Sequence, residues 1–494
     1  MSVGNFVKSI QNLMRGDSGV NGDAQRIEQM TWMIFLKIYD SKESDWEDDD
    51  DNFQSILPEN LRWRNWAVDD KDGKILTGDE LLNFVNNQLF PTLKNLDLPN
   101  STPMKQAVVK EVFADINQYM KNGTILRQVV NEIDTIKCDT AKEKNLLSGI
   151  YETILKGLQS AGYAGEFYTP RAVTDFIIER LAPTFDETVA DFACGTGGFL
   201  TSTLNYLERK GINSATQREH FANKSIFGIE KKPLPYLLAI TNMLIHDLDT
   251  PNIFHANSLE RNITDYTEDD KFSVIAMNPP YGGNELDNIR NNFPADLRGS
   301  ETADLFIALI LYRLKYNGRA AVIIPDGFLF GADGSKLELK NRLLNQFNLH
   351  TVIRLPASVF SPYTSITTNI LFFNKDTKSK GVWFYRVDMP SGYKHFSKTK
   401  PMLLEHFTDC VDWWYNRRNI KDADTDTFKA KFYSVDELVA RNYDFDLCGY
   451  PNDDEVILTP LETIANFKRL RADFSAKIDS RLDKISALLE VTKC

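Results

Sequence analysis

The sequence predicts an α/β protein. Its core is a doubly wound, mostly parallel sheet of seven strands, with an all-helical domain before it and one long C-terminal helix after it. Three patterns in the 494 residues predict this class. Residues 1–155 carry apolar side chains at helical spacing, residues 156–440 alternate short apolar runs with amphipathic segments, and residues 441–494 end in an apolar stripe. We predict one domain for each range.

The N-terminal range is predicted to be helical because its apolar residues recur at spacings of three and four. Two such sets are Phe6, Ile10, Leu13 and Met14, and then Ile27, Met30, Ile34, Phe35 and Ile38. A further helix is predicted over Met104–Met120. Residues 45–51, DWEDDDD, hold six acids in seven positions and are interpreted as a solvated loop.

Seven short apolar runs are predicted to form the sheet: Thr188–Phe192, Ser225–Ile229, Asn252–His255, Phe272–Met277, Arg319–Ile324, Thr351–Leu355 and Asn369–Phe373. Helical patterns lie between the early runs: Ala172–Leu181, Phe199–Arg209, Leu234–Asp247 and Ala303–Tyr316. This alternation favours parallel strands. The last two runs are joined by a short link that contains Pro362, which disfavours a helix, so this pair is predicted to be antiparallel.

The C-terminal range begins with a predicted capping box, in which Thr459 caps a helix and Glu462 is its third residue. Apolar residues then follow every three or four positions: Ile464, Phe467, Leu470, Phe474, Ile478, Leu482, Ile485 and Leu489. The pattern predicts one helix of about 30 residues, too long and one-sided to be stable alone. We favour packing against a partner helix; packing against the chain's own domain is the alternative.

The composition is that of an ordinary globular protein with an acidic balance. The formal net charge is −12, whereas a protein that holds nucleic acid by itself usually has a basic excess. If the chain acts on DNA, we therefore expect another subunit to supply much of the binding.

The sequence predicts a cytoplasmic protein without a metal site. No stretch approaches the ~18–20 consecutive apolar residues of a membrane span. The first residues lack the basic and apolar regions of a secretory signal. The five cysteines are scattered without a CxxC pair, which predicts neither a disulfide framework nor a zinc site.

Residues 189–200, VADFACGTGGFL, join a predicted strand to a predicted helix. Gly195, Gly197 and Gly198 allow a tight turn and the close approach of a ligand at the carboxyl edge of a parallel sheet. The dinucleotide pattern G-x-G-x-x-G is absent, and no GK[ST] follows, so a P-loop is not predicted. Asp191 and Thr196 complete the cofactor-binding candidates of this segment; a tight turn that binds nothing is the alternative.

Glu230 and Asn257 end the next two predicted strands. A carboxylate at such a strand end can accept both ribose hydroxyls, but Glu230 lies 33 residues after Gly197, beyond the roughly 20 of the dinucleotide pattern. This spacing favours a different adenosyl cofactor, with the Asn257 amide as a candidate for the adenine edge. The alternatives are a helix-capping acid for Glu230 and a simple turn residue for Asn257.

Asn278-Pro279-Pro280-Tyr281 ends the fourth predicted strand and suits an exocyclic amine of a nucleobase. Such an amine is a weak nucleophile, and two oxygen acceptors against its hydrogens would disperse the charge that develops during attack. The Asn278 side chain and the Pro279 carbonyl can supply them, the prolines fix the backbone, and the Tyr281 ring can stack on a flipped base. An ordinary Asn-Pro turn is the alternative.

These segments together carry a family resemblance. DFACGTGGF followed by NPPY resembles the amino-methyltransferases that use S-adenosylmethionine. The segments GEFYTPRAVTDFIIERLAP (165–183) and PYTSITTNILFF (362–373) resemble the modification subunits of type I restriction–modification systems. The resemblance spans residues 5 to 490 or so, and Tyr281 stands where many members have Phe.

The resemblance implies an adenine-N6 methyltransferase of DNA with a methyltransferase-type sheet. It implies that Glu166, Phe167, Tyr168, Thr169, Pro170 and Arg171 join Thr196–Gly198 and Glu230 at the cofactor, and that Asn278–Tyr281 hold the target adenine. The implied partners are double-stranded DNA, a specificity subunit shared by two copies of this chain, and a restriction/translocase subunit.

Three other functions remain open from the residues. One is a cytosine-N4 methyltransferase, although Ser more often replaces Asn in such enzymes. Asn-Pro-Pro-Tyr also suits the side-chain amide of glutamine in a protein substrate, although such enzymes resemble a far smaller chain. A non-catalytic assembly or DNA-binding module is the third alternative; the intact glycines, Glu230 and Asn278 count against it.

Overall fold

The computed structural model describes residues 3–68, 75–137, 140–159, 161, 168–211, 214–423 and 426–450, and parts of 464–483. Its contacts divide the chain into two units, Met1–Gly449 and Tyr450–Cys494. Within the described residues, no helix is long and apolar enough to cross a membrane.

Helices dominate the described residues up to Leu181, as predicted for the N-terminal range. They are α1 (Val3–Met14), α2 (Gly22–Asp49), α3 (Trp63–Trp66), α4 (Gly78–Phe84), α5 (Phe90–Lys94), α6 (Met104–Ala114), α7 (Gly123–Asp134), α8 (Ala141–Leu158) and α9 (Arg171–Leu181). Phe6, Ile10 and Met14 of α1 and the predicted apolar set of α2 are buried, because each set lies on the helix face that packs on its neighbours.

Two predictions for this range are wrong. The helix predicted to reach Met120 ends at Ala114, because the Gln29 side chain of α2 bonds the Asn117 carbonyl and the Tyr119 amide of the following segment. Residues 45–49 of the acidic run are the last turns of α2, not a loop. Trp46 is buried there, and Glu47 forms 2.8 Å ion pairs with Arg62 and Arg64, so tertiary contacts offset the repulsion between the acids.

The central sheet has ten strands in the order β3-β2-β1-β4-β5-β7-β6-β8-β10-β9. They are β1 (Val189–Asp191), β2 (Ile226–Glu230), β3 (Ile253–His255), β4 (Phe272–Met277), β5 (Leu314–Pro325), β6 (Asn348–Arg354), β7 (Thr368–Asn374), β8 (Gly381–Arg386), β9 (Ile420–Lys421) and β10 (Phe428–Ser434). The first five strands pair in parallel, and β7 is antiparallel to both β5 and β6, so the predicted fold class is confirmed.

The remaining helices flank or follow this sheet. They are α10 (Gly198–Arg209), α11 (Ala215–His220), α12 (Pro233–Ile245), α13 (Asp287–Arg290), α14 (Thr302–Arg313), α15 (Asp326–Phe330), α16 (Gly334–Asn345), α17 (Thr408–Tyr415) and α18 (Val435–Ala440). The helix predicted over Ala303–Tyr316 ends at Arg313, because the chain enters β5 at Leu314.

The predicted count of seven strands is wrong, because the sheet continues past β6. Strand β8 pairs in parallel with β6, which satisfies backbone groups that an edge strand would expose, and β10 pairs antiparallel with β8. Val382 and Phe384 of β8 are buried, so the extension is part of the core.

The N-terminal helices contact the rest of the protein through α12, the helix that follows β2. Tyr151 of α8 donates a hydrogen bond to the Leu238 carbonyl of α12, and the Tyr236 hydroxyl bonds Glu111 at 2.9 Å. Lys42 of α2 forms ion pairs of 2.7 and 3.0 Å with Asp247 and Asp249, which follow α12. These contacts hold α12, and with it the end of β2, in place.

The second unit contains part of the predicted C-terminal helix. Its described residues between 464 and 483 are helical, and the apolar side chains among them are exposed: Ile464, Phe467, Phe474, Ile478 and Leu482. The predicted capping box at Thr459 and Glu462, and the stripe residues Leu470, Ile485 and Leu489, lie outside the described residues.

Glu43 of α2 generates a prediction about stability. Its side chain is fully buried, one carboxylate oxygen accepts from Ser55, and the other has no partner among the described residues. Burial raises its pKa from 4.5 to about 7. The folded state therefore binds a proton that the unfolded state releases, and stability is lost as the pH rises from about 4.5 through 7.

Replacing Glu43 by Gln removes this loss. We compare the free energy of unfolding of Glu43→Gln with that of the natural protein. The difference in favour of the variant should be about 2 kcal/mol larger at pH 8 than at pH 5. Thermal or urea unfolding at the two pH values measures it, and Asp48→Asn, at an exposed acid of the same helix, is the control. An equal effect of Glu43→Gln at both pH values would contradict the prediction.

Candidate active site

The glycine-rich loop lies between β1 and α10 in a conformation that requires glycine. Gly195 and Gly197 have φ of 54° and 76°, in the left-handed region that other residues avoid. A Cβ atom on Gly197 would also lie 3.2 Å from the Met243 side chain of α12. The Asn242 side chain bonds the Thr196 carbonyl at 3.1 Å and fixes the loop from the same helix.

Glu230, the last residue of β2, bonds this loop directly. One carboxylate oxygen accepts the Gly195 N–H at 2.9 Å, and the other accepts the Lys232 N–H at 2.7 Å. The side chain is only 5 % exposed. These two bonds orient the carboxylate at the cavity wall.

Asp191 ends β1 beneath the loop. It is 1 % exposed and accepts the Ala193 N–H at 3.1 Å. Burial, together with the nearby charge of Glu230, holds the Asp191 pKa well above its ordinary value. Burial also raises the pKa of the Cys194 thiol, which disfavours the reactive thiolate form.

Arg171 supports the loop from the first residue of α9. Its guanidinium donates to the Gly198 carbonyl at 3.0 Å and to the Thr201 hydroxyl, and it forms a 2.7 Å ion pair with Glu152 of α8. Arg171 does not line the cavity described below. It therefore joins α8, α9 and α10 behind the loop.

The Asn-Pro-Pro-Tyr corner follows β4, as predicted. The Asn278 amide group donates to the Thr169 hydroxyl at 3.0 Å, and its carbonyl oxygen accepts from the Tyr281 hydroxyl. The two bonds hold both ends of the Asn278 side chain in place. The half-buried Tyr281 ring packs edge-on against Phe360, with 6.1 Å between ring centres.

One cavity of about 330 Å³ joins the loop to the corner. Nine of the predicted site residues line it: Thr169, Asp191, Gly195, Thr196, Gly198, Glu230, Asn257, Asn278 and Pro280. The other predicted residues that the structure describes lie behind or beside it: Tyr168, Pro170, Arg171, Gly197, Pro279 and Tyr281. Glu166 and Phe167 lie outside the described residues.

Several lining residues were not predicted from the sequence. Lys231 and Lys232 follow Glu230 directly in the sequence, and this position could have identified them as residues of the site. Glu285, Thr302 and Phe306 come from beyond the corner. Thr302 bonds both the Gly283 carbonyl, at 2.9 Å, and the Glu285 carboxylate, at 3.1 Å, which brings the start of α14 to the cavity; no local pattern indicates this pairing.

Two family profiles match the chain, the N-6 DNA Methylase over residues 142–456 and the HsdM N-terminal domain over residues 3–133. The EcoEI type I restriction enzyme methylase subunit of Escherichia coli is 43 % identical over 494 residues, covering 100 % of this chain and 99 % of that protein. The EcoKI methylase subunit of Escherichia coli K12 is 28 % identical over 401 residues, covering 77 % and 70 %.

Solved structures of type I restriction–modification proteins are also similar to this chain. A protein of Vibrio vulnificus YJ016 described as a modification subunit of a type I restriction enzyme is 40 % identical, with a TM-score of 0.75 over 88 % of this chain and 92 % of that one. A chain from a study of the assembly of the type I R-M system is 31 % identical, with a TM-score of 0.79 over 98 % of both chains.

The sheet, the glycine-rich loop and the Asn-Pro-Pro-Tyr corner define a class, the amino-methyltransferases. Within that class, the chain belongs to the N-6 DNA methylase family and is similar over its whole length to a methylase subunit of a type I restriction enzyme. The family and the reaction class inferred from the sequence are thereby confirmed, and the protein-glutamine alternative is not favoured.

Arg171 generates a prediction about the loop. Arg171→Gln removes the ion pair to Glu152 and the donor to Gly198, so the loop should lose its support. We expect about tenfold weaker binding of S-adenosylmethionine, measured by calorimetry or thermal shift, because charged hydrogen bonds contribute about 1.5–3 kcal/mol. The control is Arg209→Gln, which breaks an exposed pair with Glu179 across the same two helices. Unchanged cofactor affinity in Arg171→Gln would contradict this supporting role.

Proposed function

We propose that the chain transfers a methyl group from S-adenosylmethionine to N6 of an adenine flipped out of double-stranded DNA, within a complex that contains a specificity subunit. One observation carries the proposal. A single cavity is lined both by the glycine-rich loop with Glu230 and by Asn278, so a cofactor and an amine acceptor can meet there.

The residues present fit the cofactor. Gly195, Thr196, Glu230 and Asn257 line one cavity, in which the glycine backbone admits a ligand and a carboxylate of the Glu230 type can accept ribose hydroxyls. Lys231 and Lys232 add positive charge at the same wall, which suits the carboxylate end of an amino acid. When bound, S-adenosylmethionine supplies an electrophilic methyl group and a neutral sulfide as leaving group.

The chain's own contribution to the reaction lies at Asn278. Its carbonyl oxygen and the Pro279 carbonyl would accept the two hydrogens of the adenine amine and stabilise the positive charge that develops on nitrogen. Thr169 is a positioning residue, because its 3.0 Å bond to the amide group turns the Asn278 oxygen away from itself and towards the acceptor role.

Tyr281 has a second part in the proposal. Its hydroxyl donates to the same Asn278 oxygen that the adenine amine would use, so the two donors would share or compete for that oxygen's two acceptor positions. The ring would then stack on the base, as aromatic side chains do with unstacked nucleotides.

The proposed assembly follows the relatives named above. We propose a complex of one specificity subunit, two copies of this chain and a restriction/translocase subunit, acting on double-stranded DNA in the cytoplasm. The proposed domains are 1–155, 156–440 and 441–494, with the last serving subunit contact. Methylation by such a complex would protect host DNA from its own restriction subunit.

Methyl transfer tests the proposed function. A complex of this chain with its specificity subunit, given tritiated S-adenosylmethionine and DNA, should place label in N6-methyladenine. Asn278→Ala should lower turnover by at least about 100-fold, the cost of one transition-state electrostatic contact, with cofactor affinity nearly unchanged. Label absent from N6-methyladenine would overturn the function, and equal loss of turnover and cofactor affinity would overturn the role of Asn278.

Two variants of Tyr281 separate its ring from its hydroxyl. Tyr281→Phe keeps the stacking surface and frees the Asn278 oxygen, so we expect methylation within about threefold of the natural rate. Tyr281→Ala should weaken binding of the flipped base by about 10- to 100-fold, since stacking contributes about 1–3 kcal/mol per base. The fluorescence of 2-aminopurine at the target position reports the flipped base, and equal effects of both variants would contradict stacking.

A further inference from the structure

A basic segment lies near the Asn-Pro-Pro-Tyr corner. Residues 391–401, SGYKHFSKTKP, here called the basic loop, contain three lysines and no acid in a chain whose net charge is −12. Lys394, Lys398 and Lys400 are exposed. None of them forms an ion pair with a carboxylate of the described residues, and Lys400 lies 5.3 Å from the centre of the Tyr393 ring.

The sheet places the basic loop on the same edge as the corner. Strand β8 is parallel to β6, and β7 is antiparallel to both β6 and β5, so β8 runs in the direction of β4. The chain after Arg386 therefore leaves the sheet at the carboxyl edge, as it does after Met277. The cofactor cavity lies on the β1–β2–β3 side of the corner, and the end of β8, from which the chain reaches the basic loop, lies on the other side, four strands away.

Side-chain packing holds the basic loop against the corner's neighbours. Phe396 is 1 % exposed, and its N–H donates to the Ser358 hydroxyl at 2.8 Å. Ser358 belongs to the β6–β7 connection that also carries Phe360, the ring in edge contact with Tyr281. Reciprocal backbone bonds of 3.0 and 3.1 Å between Ser397 and Lys400 close a turn that presents Lys398 and Lys400.

Other cations of this region are engaged. Arg354 pairs with Asp326 and Asp446, and Arg386 pairs with Asp388 and Asp422. Arg290 and Arg298, which follow the corner in the sequence, donate to the carbonyls of Gly299 and Phe293. The three lysines are thus the cations best placed to meet an external anion here.

We propose that the basic loop binds the phosphate backbone of the DNA duplex beside the flipped adenine. Four strand spacings correspond to about 19 Å, a distance spanned by roughly six base pairs of DNA at 3.4 Å each. Lysine contacts of this kind position a duplex without reading its sequence. The inference rests on the proposed function, since it takes duplex DNA as the substrate.

The chain offers a matched test. Lys398→Gln with Lys400→Gln removes two lysines spaced i and i+2 in the basic loop. Lys378→Gln with Lys380→Gln removes an equally spaced exposed pair from the β7–β8 turn, at the opposite edge of the sheet. Both double variants are prepared as complexes with the specificity subunit. DNA binding is then measured by fluorescence anisotropy at salt concentrations from about 50 to about 300 mM.

We expect the basic-loop variant to bind DNA about tenfold more weakly at low salt, for cognate and unrelated sequences alike. The slope of log affinity against log salt should fall by about 1–2, since each phosphate contact contributes about 0.9. The Lys378/Lys380 variant should keep the natural slope, and cofactor affinity should be unchanged in both.

Failure of this inference is distinct from failure of the proposed function. If the natural complex methylates adenine but the basic-loop variant keeps the natural salt slope, the inference is wrong and the function stands. If the natural complex transfers no methyl group to DNA, the proposed function itself fails. Reduced co-purification of the basic-loop variant with the specificity subunit, at an unchanged salt slope, would assign the loop to protein contact and overturn the inference.

Discussion

The parallel pairing of β1 with two neighbours is the constraint on which the site depends. Val189 lies opposite Ile226 of β2 and Val274 of β4, so all three strands reach the carboxyl edge together. The chain turns there through the glycine-rich loop, Glu230 and Asn278, three groups that are far apart in sequence. Glu230 then connects the loop to the start of α12 through two backbone hydrogen bonds, and α12 is itself held by the N-terminal helices. The helical region is therefore part of the support for the cofactor cavity.

Where a strand had a strong local signal, the sequence was enough to predict it. All seven predicted runs are strands, because strands buried inside a sheet are short continuous apolar segments. Strands β8, β9 and β10 were missed because they follow the antiparallel pair, where the helix–strand alternation has ended. Strand β9 has only two residues, and β10 is mostly half-exposed, so neither carries a clear pattern. The shortened α6 has another cause, since its end is set by the Gln29 side chain from a distant helix.

The residues of the site also fall into two groups, those that a local sequence pattern predicts and those that only the tertiary packing places there. Gly195, Glu230 and Asn278 lie at or just after the ends of strands, so a residue type and a strand end together predicted their position at one edge. The role of Arg171 was not predictable, because its partners Glu152 and Gly198 lie 19 and 27 residues away and meet it only in the folded chain. Thr302 likewise reaches the cavity by pairing with the segment after the corner. Short motifs thus identify the groups that touch ligands, whereas the residues that orient those groups come from the packing.

The positions of the acidic residues decide what the negative net charge implies for DNA binding. Asp40 and Glu47 pair with Arg64, and Asp247 and Asp249 pair with Lys42, so these four acids are neutralised among the N-terminal helices and where they meet α12. At the carboxyl edge, Asp326 and Asp388 are paired with Arg354 and Arg386. Ion pairs of this kind cancel at the distance of a bound duplex, whereas three exposed lysines without such partners do not. An overall negative chain can therefore present a locally positive surface beside its active site. Because such lysines read no bases, a separate subunit is still required to choose the sequence.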